Sequence, residues 1–283
     1  MEPGSRTEVA TGPRATGAVQ GRGFGTPTVC RSPAGRGRAC GGHHARVFRR
    51  NLAAMCGRYA TARSNADLSA FFDAYDDTPA ELAPSWNVAP TDPVPVVRFS
   101  RSRERRVVSL ARWGLVPPWA PDLRGGARMI NARSETVATS PAFAPSFARR
   151  RCLVPADGWF EWVRGAGGKQ AYYMTPEHGA PLAFAGLWTA WGPEPVLTCS
   201  VLTAPARGPL AAVHDRMPLV LPFDRWQEWL NGPSGDVDLL RPTPDELIAE
   251  IDVRPVGAAV GNVRNNGPEL VLPAAVAESP TLF

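Results

Sequence analysis

Lysine is almost missing from this chain: Lys169 stands alone beside thirty arginines in 283 residues. So lopsided a choice of cation reflects GC-rich coding rather than thirty separate needs for a planar, bidentate donor, and no arginine is singled out on residue type alone. Histidine is scarce too. Of the four, two fall within the first 54 residues and His178 lies in a Glu-His-Gly turn, which leaves His214 as the candidate for proton transfer. No two histidines share a helical metal-binding spacing, so neither a metal nor another cofactor is expected. The five cysteines, Cys30, Cys40, Cys56, Cys152 and Cys199, show no paired spacing. That argues against a disulfide framework and for a reduced, cytoplasmic setting. No apolar run approaches the roughly 18 residues that span a bilayer, so no membrane association is expected.

What is present divides at Met55. Residues 1–54 are dominated by Gly, Arg, Pro, Ala and Thr and hold nine Arg against two Glu, whereas 55–283 hold 22 basic and 24 acidic side chains. The formal charge of +5 therefore belongs to the first segment, and the remainder is slightly acidic. A nucleic-acid partner would have to be met by a local arginine surface rather than by overall charge. The first segment lacks the apolar stretch of a secretory signal, and its Gly and Pro keep it from burying enough apolar area to offset ordering entropy. It reads as a disordered leader, 1–54, arising from a misassigned start codon, with proteolytic removal as the alternative. The globular part is expected over 55–275, followed by a short tail, 276–283.

Translation from Met55, followed by removal of that Met, would leave Cys56 with a free α-amine beside its thiol. These groups titrate near pH 8 and about 8.5, so both can supply some reactive form at neutrality. Amine and thiol on one residue capture an aldehyde twice, first as a Schiff base and then by closing a five-membered thiazolidine. The second attack is intramolecular, which is worth roughly 7–11 kcal/mol of barrier in well-oriented cases. By residue type alone, a cysteine that merely packs is the commoner finding.

Apolar spacing predicts a short amphipathic helix over Asn65 to Tyr75, capped by Asn65. Pro93 to Phe99 and Arg106 to Trp113 read as strands joined by a polar tip at Arg101 to Glu104; Ala171 to Met174, Leu182 to Leu187 and Val196 to Thr203 read as further strands. Helices are expected at Phe223 to Leu230, capped by Asp224, and at Thr243 to Ile251, with a surface loop at Pro233 to Asp238. Thirty prolines and many short, turn-bounded strands favour an α+β single domain with an antiparallel, barrel-like β-sheet core and short flanking helices.

Four runs carry candidate chemistry. Asn131-Ala132-Arg133-Ser134-Glu135-Thr136 sets an amide, a guanidinium and a carboxylate at a strand exit, where the amide and the guanidinium could hold a phosphodiester and a sugar or aldehyde oxygen; a solvated strand end is the plain alternative. In Asp157-Gly158-Trp159-Phe160-Glu161-Trp162, strand alternation puts Glu161 on one face with Trp159, and the aromatic surroundings would raise its pKa toward neutrality. A solvent-facing Glu161 is the alternative. His214-Asp215-Arg216-Met217-Pro218 holds the candidate proton donor before a Pro-terminated turn, though a lone histidine is more often structural. Trp113 to Trp119 is an aromatic, proline-stiffened turn whose Trp119, if exposed, could stack on a splayed base.

Together with Cys56-Gly57-Arg58, Asn87-Val88-Ala89-Pro90 and Gly261-Asn262-Val263-Arg264-Asn265, and in this order, these runs resemble the SRAP (SOS response-associated peptidase) family over Met55 to about Leu272. The resemblance implies a single SRAP fold that recognises abasic sites in single-stranded DNA during the response to DNA damage. It would trap the ring-opened aldehyde as a thiazolidine DNA–protein cross-link. A monomer is expected, cytoplasmic and nucleoid-associated when bound to DNA, and an associated strand-cleaving lyase activity is left open. Carried onto this sequence, Cys56 would be the nucleophile, Glu161 the proton shuttle, His214 the donor to the sugar oxygen, and Asn131 the group orienting aldehyde or amine. Arg58, Arg133 and Arg216 would hold flanking phosphates, and Trp119 with Pro90 would support displaced bases. One departure matters: while 54 residues precede Met55, Cys56 has an amide nitrogen and cannot close the ring. Two other functions fit parts of the pattern: a cysteine peptidase using Cys56 with His214 and Glu161, and a non-catalytic reader of modified or single-stranded DNA.

Overall fold

A computed structural model describes residues 56–165 and 168–274. The leader over 1–54, Met55 as a start, and the tail over 276–283 lie outside the described residues, as do Cys30 and Cys40. In chain order the elements are β1 (Tyr59–Thr61), α1 (Asn65–Phe71), β2 (Tyr75–Asp76), β3 (Ser85–Val88), β4 (Pro93–Ser100), β5 (Arg105–Trp113), β6 (Asn131–Arg133), α2 (Ala144–Arg149), β7 (Arg151–Ala156), β8 (Gly158–Gly165), β9 (Gly168–Pro176), β10 (Leu182–Trp191), β11 (Val196–Pro205), β12 (Arg216–Pro218), α3 (Trp226–Asn231), α4 (Asp245–Ala249) and β13 (Ile251–Val256).

The strands β11, β10, β7, β4 and β5 pair in turn, and β5 pairs back onto β11, closing a five-stranded barrel. Four joints are antiparallel. The closing joint, Thr198 to Arg112 and Cys199 to Trp113, is parallel, so the barrel is mixed. Two short strands decorate β11: β6 lies parallel to it with Asn131 opposite Val201, and β12 lies antiparallel with Arg216 opposite Pro205. A second sheet runs in the order β13-β9-β8-β1-β3.

Alternation along the barrel strands sorts side chains into two apolar clusters. Val94, Val96, Cys152, Val154, Phe184, Cys199 and Val201 join Tyr59, Trp113 and Trp159 in one, where the barrel meets the second sheet. The residues between them, Val97, Leu153, Ala183, Ala185 and Leu187, turn the other way and pack on Leu68, Phe72, Phe147, Trp226 and Trp229 from α1, α2 and α3. Each fully buried large side chain contributes on the order of 1.5–3 kcal/mol relative to exposure. Strand β7 is buried at all six positions, with both faces covered, so it lacks the apolar–polar alternation that exposes a strand to sequence reading. Its Arg151 spends its guanidinium on the carbonyls of Phe147, Trp229 and Gly232, satisfying the ends of α2 and α3.

Several boundaries differ from expectation. The first helix ends at Phe71, and its cap is Ser64, which accepts from the Asp67 N–H while Asp67 reaches back to the Ser64 N–H. Asn65 is instead buried, its amide bonded to Asp76, Thr78, Ala80 and Leu82, and Tyr75 falls in a strand. Phe223 to Arg225 forms a three-ten turn ahead of α3, and Asp224 caps nothing. The helix expected from Thr243 is confined to Asp245–Ala249, because the Thr243 hydroxyl bonds both the N–H and the carbonyl of Val220, and Ile251 opens a strand. No helix of the described residues is long and apolar enough to cross a membrane.

Candidate functional site

The site forms at the seam between the second sheet and the barrel. Tyr59 meets Trp113 edge-on with ring centroids 5.1 Å apart, and Trp159 meets Phe184 in the same way at 5.9 Å, walling the seam with aromatics. Strand β1 pairs with β8 through Tyr59 opposite Trp159 and Ala60 opposite Gly158, and the Phe160 N–H donates to the Arg58 carbonyl at 3.0 Å. This register brings Glu161 alongside Cys56. Gly158 is needed for the close approach: a Cβ there would lie 2.3 Å from the Met174 carbonyl oxygen and 2.5 Å from the Tyr173 ring. Asp157 fixes the turn ahead of it by accepting from the Ala62 N–H at 2.6 Å and the Arg63 Nε at 2.9 Å.

Cys56 is buried and adopts a left-handed backbone with φ of 42°, which costs a non-glycine residue on the order of 1–2 kcal/mol. In this conformation its backbone nitrogen donates to Glu161 Oε1 at 2.8 Å, and its carbonyl oxygen accepts from Asn131 Nδ2 at 3.5 Å. The thiol hydrogen-bonds Glu161 as well. Glu161 is 3% exposed, so the solvent-facing alternative for this residue does not hold. Burial holds its carboxyl above the usual range, partly opposed by the hydrogen bond from the Cys56 thiol and by His214. Burial, followed by the Glu161 charge, raises the Cys56 thiol too, while Arg216 pulls the other way. A thiol and a carboxyl that both resist ionisation form a proton-holding pair.

His214 stands in the turn before β12. Its Nδ1 accepts from the Arg216 N–H at 3.0 Å and lies 3.1 Å from the Asp215 carboxylate. An N–H aimed at Nδ1 assigns the ring proton of the neutral form to Nε2; on protonation, Asp215 is placed to take the new Nδ1–H. Arg216 presents both terminal nitrogens to the Glu135 carboxylate, one contact being 2.9 Å, and this holds the Glu135 carboxyl down at about 2. Arg58 directs its Nη1 to Asn87 Oδ1 at 2.6 Å and to the Val260 carbonyl at 3.1 Å. The buried Asn87 amide in turn holds the carbonyls of Val260, Asn262 and Asn265, so one asparagine ties Arg58 to the Gly261 to Asn265 loop.

The structure thus brings Cys56, Asn131 and Glu161 into direct contact and sets His214 and Arg216 within electrostatic reach of them. Pro90, Trp119 and Arg133 form no hydrogen bond or ion pair with that group among the described residues. Trp119 is 70% exposed, Arg133 is exposed, and Pro90 is half-buried beside Thr91, whose φ is 82°. Sequence reasoning gave no role to Asn87, Glu135 or Thr203, although the first two fall inside the runs it quoted. Their bonds to Arg58, Arg216 and the Val260 to Asn265 loop span 13 to 178 residues.

A mixed barrel with an appended sheet, holding a cysteine, a carboxyl, a histidine and an amide at their seam, defines a class of small β-rich proteins with a cysteine-centred site. Residues 55–263 match the family SOS response associated peptidase (SRAP), and the chain belongs to it. Among curated relatives, the Abasic site processing protein YoqW of Bacillus subtilis (strain 168) is 34% identical over 232 residues, covering 77% of this chain and 99% of the relative. The Abasic site processing protein YedK of Escherichia coli (strain K12) is 33% identical over 230 residues, covering 77% and 100%. The Abasic site processing protein HMCES of Gallus gallus is 30% identical over 227 residues, covering 67% and 66%. A crystal structure of a Bordetella bronchiseptica protein superposes with a TM-score of 0.60 at 26% identity, covering 71% of this chain and all of that one.

Proposed function

We propose that this protein processes abasic sites in single-stranded DNA by condensing an N-terminal Cys56 with the ring-opened sugar aldehyde. The observation that carries the reading is the 2.8 Å bond from the backbone nitrogen of Cys56, and not only its sulfur, to a buried carboxyl. Relatives named abasic site processing proteins supply the substrate class. His214 gives a proton to the sugar ring oxygen as its bond to the anomeric carbon breaks, and Glu161 takes the anomeric hydroxyl proton as that carbon becomes the aldehyde. The free α-amine adds to the aldehyde carbon and one of its protons passes to the carbonyl oxygen; Glu161 gives a proton to the departing hydroxyl and takes the second amine proton, and one water leaves to form the imine. The thiol then adds to the same carbon, and its proton passes through Glu161 to the nitrogen, closing the thiazolidine. Asn131, set against the Cys56 carbonyl, orients the aldehyde. Arg58, Arg133 and Arg216 hold strand phosphates, and Trp119 and Pro90 support the bases on either side.

The chemistry requires an amine at Cys56, so the functional form begins there, without residues 1–55. A cysteine-peptidase reading fits less well, because a peptidase nucleophile is activated by a lowered thiol pKa, whereas burial and Glu161 raise this one. The test is to incubate the form beginning at Cys56 with an abasic single-stranded oligonucleotide and run a denaturing gel. A shifted covalent band is expected, and inserting Gly between Met55 and Cys56 should remove it. Peptide turnover without a cross-link would favour the peptidase, and reversible binding alone would favour a non-catalytic reader.

A further inference from the structure

Three arginines are assigned to strand phosphates, and they are not equally available. Arg133 is exposed, and its side chain forms no hydrogen bond or ion pair among the described residues, whereas Arg58 spends one nitrogen on neutral oxygens. Arg216 has both terminal nitrogens on the Glu135 carboxylate. The Arg216 side chain is 10% exposed and that of Glu135 46%, so the carboxylate covers the guanidinium from the solvent side. On the inner side, the carbonyl and hydroxyl of Thr203 take Nη2, and Nε is buried without a partner. A carboxylate and a phosphodiester offer the guanidinium fork the same pair of oxygens. We infer that Glu135 occupies, in the free protein, the seat that a strand phosphate takes on Arg216, and that the strand must displace it.

The inference rests on the single-stranded DNA reading above. It makes Glu135 a specificity-determining residue. A paired Arg216 adds no net charge to attract polyanions, and it becomes available only to a strand anchored well enough to dislodge the carboxylate. Arg133, two residues along from Glu135, offers an unpaired cation beside the same seat. With its carboxyl held at about 2, Glu135 is ionised at any physiological pH, so the exchange is driven by the arriving phosphate and not by protonation.

The test uses the form beginning at Cys56 and a fluorescent single-stranded oligonucleotide carrying a tetrahydrofuran abasic analogue, which has no aldehyde and reports binding alone. Anisotropy across a salt series should show Glu135→Gln binding several-fold tighter at low salt, with the log–log slope steeper by about 0.7, the value of one more neutralised single-strand phosphate. Adding Glu135→Gln to an Arg216→Gln background should leave the slope unchanged, because the effect runs through that guanidinium. An unchanged slope in the single variant, or weaker binding, would overturn the inference and make Glu135 a prop for Arg216. Steepening that persists without Arg216 would overturn it too, in favour of a general loss of negative charge. Failure of the folded wild type to bind would sink the DNA reading and this inference together, whereas wild-type binding with an unresponsive variant sinks only the inference. If Glu135→Gln melts early, Glu135→Asp, whose shorter carboxylate loosens the pair, should give an intermediate slope, and an unaltered one would count against the exchange.

Discussion

The two halves of the seam hold their functional groups by different means. The second sheet supplies Cys56, entering β1, and Glu161 on β8, and it places them by backbone register, with backbone atoms themselves among the bonding partners. The barrel side supplies Asn131, His214 and Arg216 from short segments laid along or beside β11, and it places its charges largely through side-chain pairs such as Glu135 with Arg216. A backbone ladder tolerates little adjustment, whereas a side-chain pair can exchange partners. The chemistry is therefore expected to depend on the sheet, and DNA affinity on the barrel edge.

The largest expected effect breaks the sheet half: Cys56→Ala should abolish the stable cross-link on a denaturing gel. Its terminal amine would still allow a borohydride-trapped Schiff base, and a stable adduct surviving the substitution would remove Cys56 from the reaction. Next, Glu161→Gln should slow cross-linking on the order of 10²-fold or more with affinity nearly unchanged, because it removes proton transfer and leaves phosphate contacts in place. Parallel losses of rate and binding would erase the division between the halves. Smaller effects are expected at the surface proposed to face DNA. Trp119→Ala should cost about 1–3 kcal/mol of single-strand affinity with little change in salt dependence. Arg133→Ala should instead make the slope shallower by about 0.7, so matching salt profiles for the two variants would contradict their separate roles.

The smallest effect is in stability and has opposite signs in the two halves. Arg216 holds the Glu135 carboxyl at about 2 against an ordinary 4.5, so its contribution is present above 4.5 and fades as pH falls toward 2. Nearly half the Glu135 side chain is solvated, which limits that contribution to about 1 kcal/mol. Glu161 is raised above 4.5, so its contribution is present below that value and is lost as pH rises through the folded pKa. Urea midpoints of Glu135→Gln and Glu161→Gln against wild type, followed across this range, should therefore drift in opposite directions. A common drift would mean that burial does not separate the two carboxyls.

Much of the fold was legible because local pattern and tertiary environment agree. The hairpin of β4 and β5 alternates, carries its polar tip at Arg101 to Glu104, and forms as read. Where a segment is buried on both faces, as in β7, alternation vanishes and the strand leaves no mark in the sequence. The cap of α1 was misplaced by one residue because Ser64 and Asn65 are both cap formers; the choice fell to Asn65's better use of its amide in binding Asp76, Thr78, Ala80 and Leu82.

At the site, the sequence by itself determined which residue types were on hand: a cysteine able to become N-terminal, one carboxyl among aromatics, one usable histidine, and an asparagine at a strand exit. It also determined, through strand alternation, that Glu161 shares a face with Trp159. Only the tertiary structure decided that Glu161 meets the nitrogen of Cys56, since that contact joins positions 105 residues apart through the pairing of β1 with β8. It likewise decided that Arg216, 81 residues from Glu135, is engaged by that carboxylate while Arg133 is not. Both outcomes depend on long-range register and on which charges burial leaves within reach of one another, and neither quantity is carried by local spacing.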